Sequence, residues 1–300
     1  MQSIQYIKHH EIDFKKWDNT VLKSSFPYVF AQSFYLNATS PDWDALIIND
    51  YESIFPLTHK SKFGIRYLPQ PPFTSQLGVY GKSNIEIEEL FYNYITNKFK
   101  LIDLEWNAGN SISNQFFKTK NTFLIDYKEA YKLNENTRRN IQKANELNLK
   151  VIIIPKVEII PLSKKYLYPF LKNELSLSTK SILLFDQLLK NASEVNQLIS
   201  FQVIDEKGNC KALAHFIYND FHAFFLKGTV INKKENSGSM HLLLQNAIQF
   251  FSDKVKVFDF GGGSNSESLA NFYKGLGGKK LNYGFLQWKN LPPLINLLKR

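Results

Sequence analysis

Cysteine is nearly absent from this chain, with Cys210 the only one. A single thiol excludes an intrachain disulfide and any cysteine-built metal cluster. The six histidines show no H-x-x-x-H or comparable spacing, so no metal site is expected. Long apolar runs are missing too: no stretch approaches the ~20 consecutive apolar residues of a membrane-spanning helix. The opening residues, MQSIQYIKHHEIDF, have neither the basic start nor the apolar run of a secretory signal. A soluble, cytoplasmic protein is expected, with membrane contact at most peripheral. Short-period repeats, low-complexity tracts and arginine-rich tracts are lacking, which argues against solenoids, propellers and the usual RNA-binding signatures. The segment GGGSNS lacks the G-x-x-x-x-G-K-S/T pattern of a phosphate loop and comes near the end of the chain. Phosphate-loop and dinucleotide folds therefore fit poorly.

What is present describes a well-packed protein. The 300 residues are 44% hydrophobic, with 25 Phe, 15 Tyr and 4 Trp, which leaves room for two domains and argues against disorder. The net charge of +10 suits an anionic partner: a phosphate-bearing cofactor, RNA, or the acidic inner face of a membrane. A surface covered in Lys and Asn would give the same excess without any partner.

Turn chemistry and periodicity divide the chain. In the first half, DFKKWDNTVLKS reads as helical, and residues 43–58 read as a hairpin turning at Asn49-Asp50. YLPQPPFTSQLGVYG, rich in Pro and Gly, reads as extended loop and edge strand. A helix is expected over 85–99 and an apolar strand over 101–106. The segment 127–150 reads as a bridging helix, with Ile141 and Ala144 on its apolar stripe and Arg138, Arg139 and Lys143 outside it. Those basic residues form either a solvated face or a phosphate contact. The second half continues with helices near 161–175 and 181–190. Next come a hairpin of 198–205 with 211–219, a strand at 221–230, the polar loop INKKENSGS and the helix MHLLLQNAIQFFSD. The expected class is α/β (α+β), each domain a mixed, mostly antiparallel sheet flanked by helices, with domains at 1–126 and 127–300.

The most informative run is Val255 to Trp288, VKVFDFGGGSNSESLANFYKGLGGKKLNYGFLQW. Its β-branched and aromatic start predicts a buried strand. Gly261, Gly262 and Gly263 leave the strand end bare, so a backbone or a ligand can come close. Ser264, Asn265 or Ser266 can cap the next helix, which places Leu269, Phe272, Tyr273 and Leu276 on one face before Gly277 and Gly278 stop it. A glycine-opened crevice at the carboxyl end of a strand is where open α/β sheets bind ligands.

This order of elements resembles the GNAT acyltransferase fold, whose helix motif N-x-x-A-x-x-x-Y-x-x-x-G is approximated here by Asn265, Ala270, Tyr273 and Gly277. The whole chain resembles FemAB-like proteins, which carry two such domains in tandem. NTRRNIQKANELNLKV is similar to their basic helix, and FDFGGGSNSESLANFYKGLGG to their strand-turn-helix. The resemblance implies an N-acyltransferase or aminoacyltransferase. The acyl donor would be acyl-CoA, or alternatively aminoacyl-tRNA, and the acceptor a small-molecule or cell-envelope amine. It further implies a first domain that is mainly architectural and a second that holds the donor. The family's Q/R-x-x-G-x-G/A turn is reduced here to KENSGSMH, with Gly238 alone and Lys233 or Glu235 in the first motif position. Ser237, Gly238, Ser239 and Met240, together with Asn265, are the implied donor-binding residues; the helix amides of Ser239, Met240 and His241 can still hold phosphate. A capped helix after a surface turn would look the same.

Amine acylation asks for a deprotonated nucleophile, donors for the developing oxyanion and a proton for the leaving group. Tyr273 is implied as that proton source, its alternative being a core aromatic. Asp259, between Phe258 and Phe260, is a candidate base if buried without a cation, and a structural carboxylate if paired. His215 and His222 could act near neutral pH or simply be satisfied in strands. Cys210 has no neighbouring base and reads as structural. A degenerate, non-catalytic GNAT-fold protein that binds an anionic ligand is the other class.

Overall fold

The structure, a computed structural model, describes residues 3–262 and 266–291. The chain forms two compact units, one holding the chain up to Lys120 and again from Asn282, the other Asn121–Leu281.

In the first unit the elements are β1 (Ile4–Ile7), α1 (Phe14–Lys23), α2 (Ser33–Thr39), β2 (Asp44–Ile48), β3 (Ser53–Leu57), β4 (Lys60–Lys62), β5 (Ile65–Pro69), β6 (Tyr80–Gly81), α3 (Ile85–Lys98) and β7 (Leu101–Glu105). Antiparallel strands run in the order β1-β2-β3-β6, and the turn between β2 and β3 uses the positive φ of Asn49 and Tyr51. β4 and β5 form a hairpin, and β5 runs parallel to β7, so α3 lies within a crossover between parallel strands. The core is aromatic, with Trp17, Trp43, Phe55, Phe91 and Trp106 fully buried, and the Trp17 indole N–H donates to the Ala31 carbonyl. Each such ring contributes on the order of 2–3 kcal/mol by leaving water.

The strand β8 (Phe117–Asp126) begins in the first unit and ends in the second. There follow α4 (Glu135–Glu146), β9 (Lys150–Ile153), α5 (Lys156–Leu162), α6 (Tyr168–Asn173), α7 (Thr179–Glu194), β10 (Leu198–Ile204), β11 (Cys210–Tyr218), β12 (His222–Val230), α8 (Ser239–Phe251), β13 (Val257–Gly262), α9 (Glu267–Gly275) and β14 (Lys279–Lys289). The last residues of β14, Phe285–Lys289, pair with β7 and belong to the first unit. In the second unit the strand order is β8-β13-β12-β11-β10-β9, antiparallel except for β12 beside β13. Small polar side chains start the helices: Asn134 caps α4, Ser178 caps α7 and Ser266, one of the three expected candidates, caps α9. Pro161, which has no N–H to donate, is followed by a π-helical turn over Ser163–Leu167 that joins α5 to α6.

Ile141 and Ala144 of α4, the apolar face of α8, Tyr273 of α9 and Leu276 just beyond it pack with Phe201, Phe216, Phe258 and Phe260 in one cluster. On α7, Phe185 lies 6.2 Å from the ring of His215. Among the described residues no helix is long and apolar enough to cross a membrane.

Candidate functional site

The parallel strands β12 and β13 stay together only briefly, with His222–Phe224 paired to Val257–Asp259 and no further rungs among the described residues. Each strand is irregular where they part. The β11–β12 register shifts between His215 and Phe216, and the β13–β8 register shifts between Asp259 and Gly262, where Gly261 takes a φ of 80°. A bulge bends and twists its strand, and two on neighbouring strands open the sheet.

Asp259 sits at the parting point with no exposed surface. Thr122 Oγ1 donates to its Oδ1 at 2.5 Å and the Gly261 amide donates to the same oxygen at 2.8 Å, while Oδ2 lies 3.3 Å from His222 Nε2. This fully occupied carboxylate fastens β8, β12 and β13 together at the base of the gap.

At the end of β12 and the start of α8 lies a cavity of about 650 Å3. Its walls are the end of β12 (Gly228, Thr229, Val230), the start of α8, residues Ser266, Ser268, Leu269 and Phe272 at α9, and Phe170 of α6. Ser237, Gly238, Ser239 and Met240 all line it. Gly238 is the N-cap of α8 at φ 72°, and a Cβ there would lie 2.0 Å from the Asn140 carbonyl oxygen. Glycine is therefore required twice, by its left-handed backbone and by the close seating of α8 on α4. No side chain caps α8. The first intrahelical acceptor, the Gly238 carbonyl, takes the Leu242 amide, so the amides of Ser239, Met240 and His241 precede the helical ladder. The Ser239 hydroxyl, on a residue only 2% exposed, has no hydrogen-bond partner among the described residues. Aligned peptide dipoles place roughly half a positive charge at such a helix start.

Lys233 is the one charged side chain among the described residues lining the cavity. It pairs with Glu174 and lies 5.4 Å from the Phe170 ring centroid. His241 packs edge-on against Phe272, with centroids 4.8 Å apart, and burial lowers its pKa, which keeps the imidazole neutral at pH 7.

Tyr273 is 5% exposed, stacks on Phe260 at 5.0 Å and does not line the cavity; its neighbours Leu269 and Phe272 do. Burial first, and the Asp259 charge second, push its hydroxyl well above the usual range, so it stays protonated. Asn265 lies outside the described residues. His215 is fully buried between Ser163 Oγ (2.8 Å from Nε2) and Ser200 Oγ (2.6 Å from Nδ1), and burial lowers its pKa to about 3. Cys210 is half-buried, with a thiol pushed up to about 11 by burial, so it remains a thiol at neutral pH. Arg139 pairs with Glu135 on the exposed side of α4, and neither Arg138 nor Arg139 lines the cavity.

Two features escaped sequence reasoning. The side chains of Ser239 and His241 face the cavity, whereas the sequence singled them out for their amides. Asn140 also went unnoticed, since its carbonyl is 98 residues from Gly238 and bears no side-chain signal.

No protein-family model matches the chain, and no curated protein matches it by sequence. Solved structures match its fold. FemX superposes with a TM-score of 0.68 over 99% of this chain and 100% of that one, at 11% identity. L-PGS from Bacillus licheniformis gives 0.58 over 95% and 94%, at 10% identity. A tandem GNAT protein from the clavulanic acid biosynthesis pathway gives 0.52 over 97% and 99%, at 9% identity. The chain thus has the fold of FemX and of the tandem GNAT protein, the architecture that its sequence led one to expect.

Proposed function

We propose that the second unit binds a phosphate-bearing acyl donor and transfers its acyl group to an amine. The observation that carries this reading is the start of α8: uncapped, with a buried unpartnered hydroxyl at Ser239, facing a cavity whose described lining bears no acid. Phosphate oxygens accept from the amides of Ser239, Met240 and His241 and from the Ser239 hydroxyl. Met240 and Ser237 complete the wall beside them. The donor's arm then runs toward the point where β12 and β13 part, and strand amides there face the developing oxyanion.

In the reaction the amine nitrogen attacks the acyl carbonyl, a C–N bond forms, and the C–S bond of a thioester or the C–O bond of an ester breaks. The amine loses one proton and the leaving group gains one. Neutral His241 is the proposed acceptor of the amine proton. Tyr273, kept protonated by burial, is the proposed proton source once the donor's arm reaches the Phe260 layer. Asp259 acts through geometry, by fixing the point where the strands part.

Acyl-CoA is the first donor in this reading and aminoacyl-tRNA the second. Both belong to the cytoplasm, where we place the reaction, and the acceptor is a small-molecule or cell-envelope amine. The first unit is architectural with respect to this chemistry. The non-catalytic reading draws on one specific observation, that Tyr273 and Asp259 do not line the cavity.

The deciding experiment is thiol release from acyl-CoA donors over a panel of amines, together with calorimetric titration of CoA. Turnover that falls at least tenfold in Tyr273→Phe with donor affinity unchanged supports the assignment. Undiminished turnover in that variant removes Tyr273 from the chemistry. Tight CoA binding without turnover on any amine selects the non-catalytic reading. Failure to bind CoA, with binding to charged tRNA that weakens steeply with salt, selects the second donor.

A further inference from the structure

The hairpin of β4 and β5 in the first unit ends in a residue that the fold does not use. Phe63 is 91% exposed, has a φ of 51° and is followed by Gly64 at φ 73°. Two successive positive φ values define a two-residue turn in which Asn or Asp ordinarily precedes Gly. A phenylalanine there is both strained and solvated, with the Lys62 ammonium 5.4 Å from the ring centroid. The register pairs Lys62 with Ile65, Ser61 with Arg66 and Lys60 with Tyr67. Side chains alternate across a strand, so Lys60 and Lys62 lie on one face of the ribbon and Arg66 on the other. The run Lys60–Tyr67, KSKFGIRY, contains no acid.

Beside the hairpin lies a separate concavity of about 280 Å3, lined by Tyr6, Leu57, Arg66, Tyr94, Lys98 and Phe99. The Arg66 guanidinium sits 5.3 Å from the Phe99 ring centroid. Arg66 and Lys98 are exposed, and neither takes part in an ion pair among the described residues. The nearby Asp44 carboxylate is already engaged by the Tyr6 hydroxyl, His59 Nε2 and the His9 amide. Two cations, aromatic walls and no lining acid make a site for a phosphate monoanion or diester.

We propose that this hairpin docks the protein on an anionic phospholipid surface, with Phe63 entering the interface and the Arg66–Lys98 concavity holding a lipid phosphate. The dimensions agree. Arg66 pairs with Ser61, two residues from Phe63, so it lies about 7 Å behind the tip along the hairpin. An aromatic side chain that enters the interface by about 5–10 Å leaves basic residues at that distance level with the headgroups. Charge complementarity favours a lipid over an apolar protein groove, because the tip is ringed by cations on both faces. The proposal concerns the first unit and stands whether or not the second unit transfers acyl groups.

The test is co-sedimentation of the full chain with phosphatidylcholine vesicles, with and without phosphatidylglycerol. Binding is expected only when phosphatidylglycerol is present. It should weaken about tenfold in Phe63→Ala, the loss of one partly inserted ring, and about fivefold in Arg66→Gln or Lys98→Gln. Melting temperature should not move in Phe63→Ala, since the ring packs against no core residue. A Phe63→Trp variant should show a blue-shifted emission difference on adding the anionic vesicles. Lack of sedimentation with those vesicles, equal binding by Phe63→Ala, or equal binding to pure phosphatidylcholine would each overturn the proposal. Calorimetric binding of inorganic phosphate that Arg66→Gln abolishes, with no sedimentation on the anionic vesicles, would assign the concavity to a free anion and overturn it as well.

Discussion

Each unit contains a crossover helix between parallel strands, α3 between β5 and β7 and α8 between β12 and β13, and the two helices begin in opposite ways. At α3 the start is closed. Asn84 accepts the Ile87 amide at 2.9 Å, Glu86 and Glu88 occupy the first turn, and the buried Glu88 carboxylate accepts from the Ser83 hydroxyl and the amides of Ser111 and Ile112 at 2.6–2.8 Å. At α8 the start is open, with a glycine cap, no acid in the first turn and an unpartnered serine hydroxyl. The same topology therefore yields a helix end satisfied by its own chain in one unit and one without a side-chain cap in the other, where we propose that an external anion binds. The difference lies in a few residues, NIEIE against GSMHL, and not in the sheet.

The comparison can be broken or sharpened by substitution. The largest effect is expected for Gly238→Ala, whose Cβ would meet the Asn140 carbonyl in a left-handed backbone: about 3 kcal/mol or more of stability, read from urea unfolding. Acid should act next, and on the second unit. His215 is held neutral with its pKa lowered to about 3, below the value of about 6.5 it has when unfolded. The unfolded chain then binds the extra proton, so this contribution is complete above about pH 6.5 and is lost as pH falls. By pH 4.5 the loss is about 2–3 kcal/mol, and His215→Gln should flatten that part of the stability–pH curve.

Glu88→Ala would strand two amides and a hydroxyl, costing about 2 kcal/mol while leaving donor affinity unchanged. Ser239→Ala is expected to shift stability by less than about 0.5 kcal/mol, because the hydroxyl has no partner to lose, yet to weaken donor binding about fivefold to tenfold. Calorimetry and urea titration on the same variant separate the two effects. A Ser239→Ala protein that is clearly destabilised would mean that α8 is closed like α3.

Most of the second unit was legible from local chemistry. The hairpin arms at 198–205 and 211–219 were marked by alternation around EKGN, and they are observed as β10 and β11. The helix after KENSG and the strand before GGG are observed as α8 and β13. In the first unit the turn at Asn49 and the helix from Ile85 were equally plain. The β4–β5 hairpin was hidden, because its turn places Phe rather than Asn before Gly and two of the three residues of its first strand are lysine. The return of β14 to pair with β7 had no local signal at all, since strand order is set by long-range pairing. At the site, Ser237 to Met240 could be found from a glycine beside a helix start. That Tyr273 turns toward Phe260 and that Asp259 is occupied by Thr122 depended on partners more than 10 residues away in one case and 137 in the other. Spacing within a helix names a face but not what covers it.

The central claim, that α8 opens onto a phosphate site while α3 does not, is tested most directly by an amide NMR titration of the full chain with CoA. The account predicts downfield shifts of the Ser239, Met240 and His241 amide protons, diminished in Ser239→Ala, with Ile87 at the start of α3 unmoved. Saturating CoA that leaves those three amides in place, or that moves Ile87 instead, would contradict it.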